Sequence, residues 1–500
     1  MRIAALDVGS NSLHLVVVEV DAVGNQRVLA REKAMVRLAR GAGLHGDITP
    51  EAFQEGLQAL ALMAQVITGF HCDTVMACGT AALRDARNAP AFLAEAARLG
   101  LPIRVISGEE EARLIHLAVS HALPFPEGPV TLMDIGGGST ELTWVDGGRV
   151  LASTSIPVGL QRLADACPTS DPPTPADLKR LRRFIRKVLK KVRKALPKDL
   201  PTPALVLGTS GTLEDLGRGA AGGTRFDTRG LRAFRKKLWS TGAAGRLRLG
   251  VQPKRAEVLH VGAAWAEALL DWLGCATVQH LPVGLREGMI WDALAHGGAA
   301  IPPLAERRRA SVEAFAARLD PDPGHSRHVA LLADQLFTGL QPWFDLGERE
   351  REWLQHAARL HDLGFSVAEK GHHKHGAYLI RAASLPGFWP EEVELLAQVV
   401  RHHRGKAPDP ARHEAYRNLP PWHRDTVRKL TALLRVADAL DRRRRQSVTG
   451  LGLAEEDEGL RLRIQGQGDL EPELEALDRK GALLRELLDR PVRVTLEARL

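Results

Sequence analysis

The chain opens with an apolar run, Ile3-Ala4-Ala5-Leu6, interrupted by Asp7-Val-Gly-Ser-Asn-Ser12 and resumed from Leu13 to Val20. Two short apolar runs on either side of a Gly/Ser/Asn turn predict a β-hairpin, with Gly24-Asn25 marking the next turn. Apolar positions at helical spacing predict helices over 50–67 and 89–99, and Thr74–Ala77 reads as a short buried strand between them. Near Val130 the opening pattern recurs. Thr131-Leu-Met133 is apolar, Asp134-Ile-Gly-Gly-Gly-Ser-Thr140 turns, and Glu141-Leu-Thr-Trp-Val145 returns. The repeat predicts an internal duplication: two lobes, each with one glycine-rich hairpin. Its spacing is too long for a solenoid.

A Pro-rich stretch, Pro168–Pro175, precedes a predicted helix over 177–196. Leu178, Leu181, Ile185, Val188 and Val192 form its apolar stripe, and its other faces are almost all Lys and Arg. Leu205–Leu207 reads as a strand ending in Gly208-Thr-Ser-Gly-Thr212. A Gly/Ala/Pro segment over 297–303 reads as a linker. The pattern is then helical up to the arginine run Arg442–Arg445. Beyond it, Leu460–Ile464 and Val492–Leu496 alternate like strands around a predicted helix over 472–488, which suggests a small α+β appendage. The division expected is 1–125 and 126–300 for the two lobes, 301–445 for a helical domain and 446–500 for the appendage.

Composition narrows the class. With 500 residues, 44% hydrophobic and 26% charged, the chain can build several cores without staples, and its 5% aromatics leave packing to Leu, Ala and Val. Four cysteines are scattered without a CxxC pair, which excludes a disulfide framework and a zinc ribbon and suits a reducing cytoplasm. Asp7 cuts the first apolar stretch short of signal-peptide length and no apolar run reaches 18 residues, so neither secretion nor membrane insertion is expected. The net charge of +8 draws polyanions without choosing among them. The basic helix and the arginine run read first as solvated surface. No zinc finger, RNP-type strand or interleaved aromatic points to specific nucleic-acid binding.

Glycine turns after strands let backbone N–H groups approach a phosphate, and Ser and Thr hydroxyls add donors. Asp7 and Asp134 would repel that phosphate. Their presence calls for Mg²⁺, which bridges carboxylates to phosphate oxygens. Either turn alone would pass for an ordinary hairpin; both together, with the 208–212 turn, would not.

The chain resembles the exopolyphosphatase and guanosine pentaphosphate phosphohydrolase family, within the superfamily of actin, hexokinase and the heat-shock chaperone ATPases. The resemblance rests on DVGSNSLHLVV at 7–17, GTAALRDARN at 79–88, ISGEEEARLI at 106–115, DIGGGSTEL at 134–142, GTSGT at 208–212 and GLREGM at 284–289. These come in family order over roughly residues 1–300, and the helical region beyond resembles the longer members. The resemblance implies an α/β actin-like (ribonuclease H-like) two-lobed core and hydrolysis of a terminal phosphoanhydride with Mg²⁺ or Mn²⁺. Glu111 matches the catalytic base. Arg84, in a segment where Ala81 and Ala82 separate Thr80 from Leu83, matches a phosphate clamp. Asp134 and Glu141 match the acidic pair that holds Mg²⁺ and orients water. Ser10, Asn11, Gly136, Gly137 and Ser139 would contact phosphate oxygens, Asp7 would be a further metal-linked group, and Ser210 and Gly211 would line the cleft from the second lobe. A homodimer is implied by the family alone.

A second constellation comprises His325, His361-Asp362, His372, His373, His375, His402, His403 and Asp438. The order H…HD…HH…HH…D resembles the HD-type metal phosphohydrolases, an all-α domain in which residues from separate helices converge on metal. That likeness implies one site at His325, His361, Asp362 and Asp438, with His373 and His402 or His403 completing a second. A second active site, a bound structural metal and an inherited relic all remain open.

The leading expectation is exopolyphosphatase activity, releasing orthophosphate from polyphosphate ends. Hydrolysis of pppGpp to ppGpp would use the same residues. A sugar or acyl kinase of the superfamily would need a sugar-binding signature that the chain lacks, and a non-catalytic polyphosphate or nucleotide sensor would not need Glu111.

Overall fold

A computed structural model describes every residue except 22–25, 40–45, 298–300, 384, 457–458 and 499–500. The expected turn at Gly24-Asn25 and the middle of the expected linker lie outside the described residues. The chain divides into two units, Met1–Pro302 and Pro303–Leu500.

In the first unit, β1 (Arg2–Val8), β2 (Ser12–Val20), β3 (Gln26–Met35), β4 (Thr74–Gly79) and β5 (Arg104–Val105) form a sheet in the order β3-β2-β1-β4-β5. A second sheet contains β6 (Pro129–Ile135), β7 (Thr140–Asp146), β8 (Arg149–Ile156), β9 (Leu205–Gly208), β10 (Arg225–Asp227) and β11 (Thr277–His280), in the order β10-β11-β9-β6-β7-β8. Reading out from β8, the second sheet repeats the first. An antiparallel meander of three strands is followed by two parallel strands, and β10 adds an antiparallel edge. The duplication extends to register: Asp7 lies opposite His14 across its hairpin, and Asp134 lies opposite Glu141 across the other.

β1 is apolar without alternation because both its faces are covered. Ala4, Leu6 and Val8 join a core with Leu60, Met63 and Phe92, while Ile3 and Ala5 face Leu114, Met289 and Ile290. The helix Leu285–His296, assigned by sequence to the second lobe, therefore packs on the first sheet, where Gly288 closes on the Leu114 carbonyl. β3 was not expected; its edge position leaves it only partly buried and without a clear apolar stripe. The basic helix runs Pro175–Ala195, with Leu181, Ile185 and Leu189 buried. Its capping box is built on Thr174 and Asp177, and the Asp177 carboxylate accepts hydrogen bonds from Ser170 and Thr174 that hold it well below the usual carboxylate range.

The second unit is helical from Leu304 to Ala439 and ends in a sheet of β12 (Val448–Glu456), β13 (Gly459–Gly466) and β14 (Val492–Ala498). The expected strands fall within β13 and β14; β12, glycine-rich and mostly half-buried, was not foreseen. The expected helix over 472–488 is two helices, Glu471–Lys480 and Ala482–Leu488, parted at Gly481. Val448, Leu460, Leu462, Ile464, Leu477 and Leu484 share one core with Leu332, Leu336, Trp353 and Leu433. The α+β segment is thus a layer of this unit rather than a body with its own core. No described helix is long and apolar enough to cross a membrane.

Candidate active site

The two glycine turns meet. Each is closed by the same bond, Gly9 N–H to Ser12 carbonyl at 3.2 Å and Gly136 N–H to Ser139 carbonyl at 3.0 Å. A Cβ on Gly138 would lie 2.6 Å from Ser10 Oγ and 2.8 Å from Ala81 Cβ, and one on Gly137 would lie 3.2 Å from Ser10 Cβ. Only glycine permits that approach. The carbonyls of Gly136 and Gly137 are taken up by Leu160 N–H at 2.8 Å and Gln161 N–H at 2.9 Å, at the start of the helix Leu160–Ala166. Thr80 and Thr209 follow β4 and β9 at equivalent positions, their N–H groups bonded to Val8 and Met133 carbonyls.

Around this junction lies a cleft of about 550 Å³. Asp7, Ser10, Asn11, Glu111, Asp134, Gly136, Gly137, Ser139, Ser210 and Gly211 all line it, so ten of the expected residues come together from segments far apart in sequence. Ser210 also caps the helix Gly211–Ala221, its Oγ accepting from Leu213 N–H at 3.3 Å. Arg84 and Glu141 stand behind the lining. Arg84 donates to the Ile106 carbonyl at 2.7 Å and places Nη1 3.7 Å from Glu111 Oε2. Glu141 accepts from Ser155 Oγ at 2.8 Å.

Glu111 is in the first turn of the helix Gly108–Ala122, capped by Ser107. Its neighbour Glu110 is tied to Arg113 and Arg104, and these pairs hold its carboxyl low. Glu111 instead turns inward, and Oε2 is sealed from solvent without a hydrogen-bond donor. Burial, then Glu141, Asp7 and Asp134, push its carboxyl well above the ordinary range, against the pull of Arg84. Burial likewise raises Asp7 to about 7 and Glu141 to about 7, each with a further push from Asp134. Asp134 is also raised by burial, while the Thr209 hydroxyl, donating to Oδ2 at 2.6 Å, lowers it.

Four carboxyl groups thus converge in a low-dielectric pocket, and Asp7 Oδ1, Glu111 Oε2 and Glu141 Oε2 are buried without a donor. Oxygen-only ligands left short of positive charge fit a hard divalent cation.

Several lining residues were quoted in motifs but given no role. Thr209 belongs to GTSGT, and Arg286 and Glu287 belong to GLREGM; Arg286 is the main positive charge acting on Asp7. Lys33 and Arg255 also line the cleft, and no motif marks either.

A model of the Ppx/GppA phosphatase family matches residues 16–296, and one of that family's domain III matches 307–478. The chain belongs to the Ppx/GppA phosphatase family. Among solved structures, an exopolyphosphatase from Cytophaga hutchinsonii is 26% identical with a TM-score of 0.55, over 59% of this chain and 98% of that one. A PPX-GPPA enzyme of Aquifex aeolicus is 28% identical with a TM-score of 0.50, over 58% of this chain and 99% of that one. Both Ppx/GppA relatives are matched almost end to end, and the two-sheet, duplicated core fits the actin-like fold expected.

In the second unit, His325, His361, Asp362 and Asp438 come together, as expected from their order. His325 Nε2 is 3.7 Å from Asp362 Oδ2 and 3.6 Å from Asp438 Oδ1, and His361 Nε2 is 3.5 Å from Asp362 Oδ1. His373 and His402 do not join them. The ring of His402 packs on His413 at 4.5 Å, and its Nδ1 lies 3.3 Å from the Lys406 carbonyl. Of the two expected alternatives it is His403 that reaches the cluster, and His372 stands where its neighbour His373 was expected, with Nε2 atoms 4.0 and 3.6 Å from Asp362 Oδ1. Successive helical side chains point about 100° apart, so moving one position along turns a side chain away from the cluster; His402 stays buried, but against His413 and Tyr416. The arginine run is not merely solvated surface: Arg443 pairs with buried Glu473, and Arg444 with Asp362 at 2.5 Å.

Proposed function

We propose that the Met1–Pro302 unit hydrolyses the terminal phosphoanhydride of inorganic polyphosphate, releasing orthophosphate. The observation that carries this reading is the buried Glu111 carboxyl, aimed into a cleft whose floor is two touching glycine turns. Family membership and the Cytophaga exopolyphosphatase support the same class of reaction.

The chain's own groups divide the work. N–H groups of the 9–12 and 136–139 turns and the hydroxyls of Ser10 and Ser139 hold the terminal phosphoryl oxygens. Arg84, beside Glu111, adds positive charge where it develops in the transition state. Glu111 is the general base; it takes the proton of a water aligned opposite the leaving oxygen, and burial, which raises its affinity for protons, makes it a stronger base than a solvated carboxylate. Asp134 and Glu141, with Asp7, would hold Mg²⁺ or Mn²⁺, which supplies charge neutralisation to the phosphate oxygens. No covalent intermediate is required, because a phosphate chain leaves readily once neutralised.

A chain of phosphates is favoured over guanosine pentaphosphate by the lining. Arg31, Lys33, Arg255 and Arg286 are present, and no Phe, Tyr or Trp lies among the described lining residues to stack a guanine. A sensor without activity would have no use for a base held in that position. The second unit is read as an HD-type domain, and a cytoplasmic homodimer belongs to the same reading.

The deciding experiment is phosphate release by the purified chain with long polyphosphate, pppGpp and ATP compared side by side in Mg²⁺. Polyphosphate should give the highest kcat/KM. A preference for pppGpp would move the assignment to the guanosine substrate, and release from none would overturn hydrolysis.

A further inference from the structure

The basic helix Pro175–Ala195 carries a face that a merely solvated surface would not need. Its apolar stripe is already used: Leu181, Ile185 and Leu189 are buried in one core with Trp144 and Trp265. The opposite face presents Lys179, Arg183, Arg186, Lys190 and Lys194, all exposed. They follow one another at steps of three or four residues, so they form a single row along the helix, with further Lys and Arg on either side. No acidic residue occurs between Asp177 and Asp199. Among the described residues none of the five is paired with a carboxylate; Arg180, off the row, takes Asp177.

Like charges three and four positions apart destabilise a helix, and a surface helix relieves this by interleaving acids. Other helices of the same lobe do so: Arg218 is answered by Glu214, and Arg232 by Asp271. Here the repulsion is left standing, held in place by the buried stripe and the Thr174–Asp177 capping box. A row of unanswered cations on a rigid rod is complementary to a polyanion.

The row also has a direction. In the turn before the helix, Thr169 Oγ1 lies 2.8 Å from His260 Nε2, and His260 is two residues beyond Val258, which lines the cleft. At its other end the chain leads to the start of β9, where Ala204 N–H bonds the Pro129 carbonyl, whereas the far end of β9 delivers Thr209 to the cleft. The helix thus begins on the cleft side of the lobe and runs away from it for about 30 Å over its 21 residues.

We propose that this face is a docking track for the interior of a long polyphosphate chain whose end occupies the cleft, so that affinity grows with chain length. The proposal rests on the hydrolysis proposed above only for the placing of that end. A membrane surface is not the occupant, because the apolar stripe is committed to the core. Nucleic acid is disfavoured because the helix has no exposed aromatic to stack a base; Phe184 is half-buried against the same core.

The test combines Arg183→Gln, Arg186→Gln, Lys190→Gln and Lys194→Gln in the full chain. All four are exposed, so the unfolding midpoint should be unchanged or raised. KM for long-chain polyphosphate should rise roughly 10-fold, with kcat and the kinetics on tripolyphosphate unchanged. Binding is measured separately from turnover, by fluorescence anisotropy of end-labelled long polyphosphate in chelator. The slope of log Kd against log salt should fall by about 3, at about 0.7 per lost contact. Loss of binding in the variant while the parent releases no phosphate would keep the track and remove only the hydrolysis. Equal affinity of parent and variant, or an equal loss toward tripolyphosphate, would overturn the track. So would an oligonucleotide of matched phosphate number that binds the parent as tightly as polyphosphate does. The parent alone gives a check that needs no variant: its salt slope should steepen from tripolyphosphate to long chains, and a slope independent of chain length refutes the proposal.

Discussion

Arg84 Nη1 stands 3.7 Å from Glu111 Oε2 while the same nitrogen donates to the Ile106 carbonyl at 2.7 Å. The backbone bond fixes the guanidinium, so its charge acts on Glu111 without forming a close hydrogen bond that would quench the base. Arg84 lowers the proton affinity of Glu111 against burial and three neighbouring carboxylates. Replacing Arg84 by Ala should therefore reduce kcat on the order of 10²- to 10³-fold. It should also move the acid limb of the kcat/KM profile to higher pH, because Glu111 would then hold its proton more tightly. A profile that keeps its acid limb would show that Arg84 does not act on this carboxyl.

Glu111→Gln keeps the shape and hydrogen-bonding capacity of the side chain and removes the base. Phosphate release should fall by roughly 10²- to 10⁴-fold. Equilibrium binding of polyphosphate should be retained, since the turns and hydroxyls that hold the chain are untouched. Unchanged turnover would sink the assigned role.

Gly138→Ala tests the contact between the turns. Its Cβ would meet Ser10 Oγ at 2.6 Å and Ala81 Cβ at 2.8 Å, so the two turns must part. The expected cost is about 1–3 kcal/mol of stability and roughly 10²-fold in kcat, as donors move off the phosphoryl group. Gly137→Ala, whose Cβ would meet Ser10 Cβ at 3.2 Å, should be milder. Chemical denaturation and steady-state kinetics of the two variants give the comparison.

Proton binding by the cleft makes stability depend on pH in a definite direction. Burial holds Asp7 and Glu141 at about 7, whereas in an unfolded chain such groups titrate near about 4. Between those values the folded unit binds more protons than the unfolded chain, so its stability falls as pH rises through that window. Mg²⁺ should flatten the fall by replacing the protons. Thermal unfolding of chelator-treated protein from pH 5 to 8, with and without Mg²⁺ restored, reads this directly. A stability that rises with pH in the metal-free protein would contradict the clustering of these carboxyls.

The sequence by itself determined the two hairpins. An apolar run, a glycine turn after Asp and a second apolar run specify strand, turn and strand locally, and their recurrence specified the duplication. The turns and Asp134 were legible because the chemistry of phosphate binding demands those residue types in short motifs, whereas Glu111 stood out among three successive glutamates only through the family resemblance. Tertiary structure decided the rest. Whether His372 or His373 faces inward depends on how its helix is rotated against its neighbours, and adjacent positions in an HH pair carry no local signal to distinguish them. Arg255 and Lys33 reach the cleft only because distant segments fold against it. The helix Leu285–His296 covers the first sheet rather than the second because Gly288 lets it close on the Leu114 backbone. These choices are made by packing between elements far apart in the chain, a long-range interaction that no window of sequence contains.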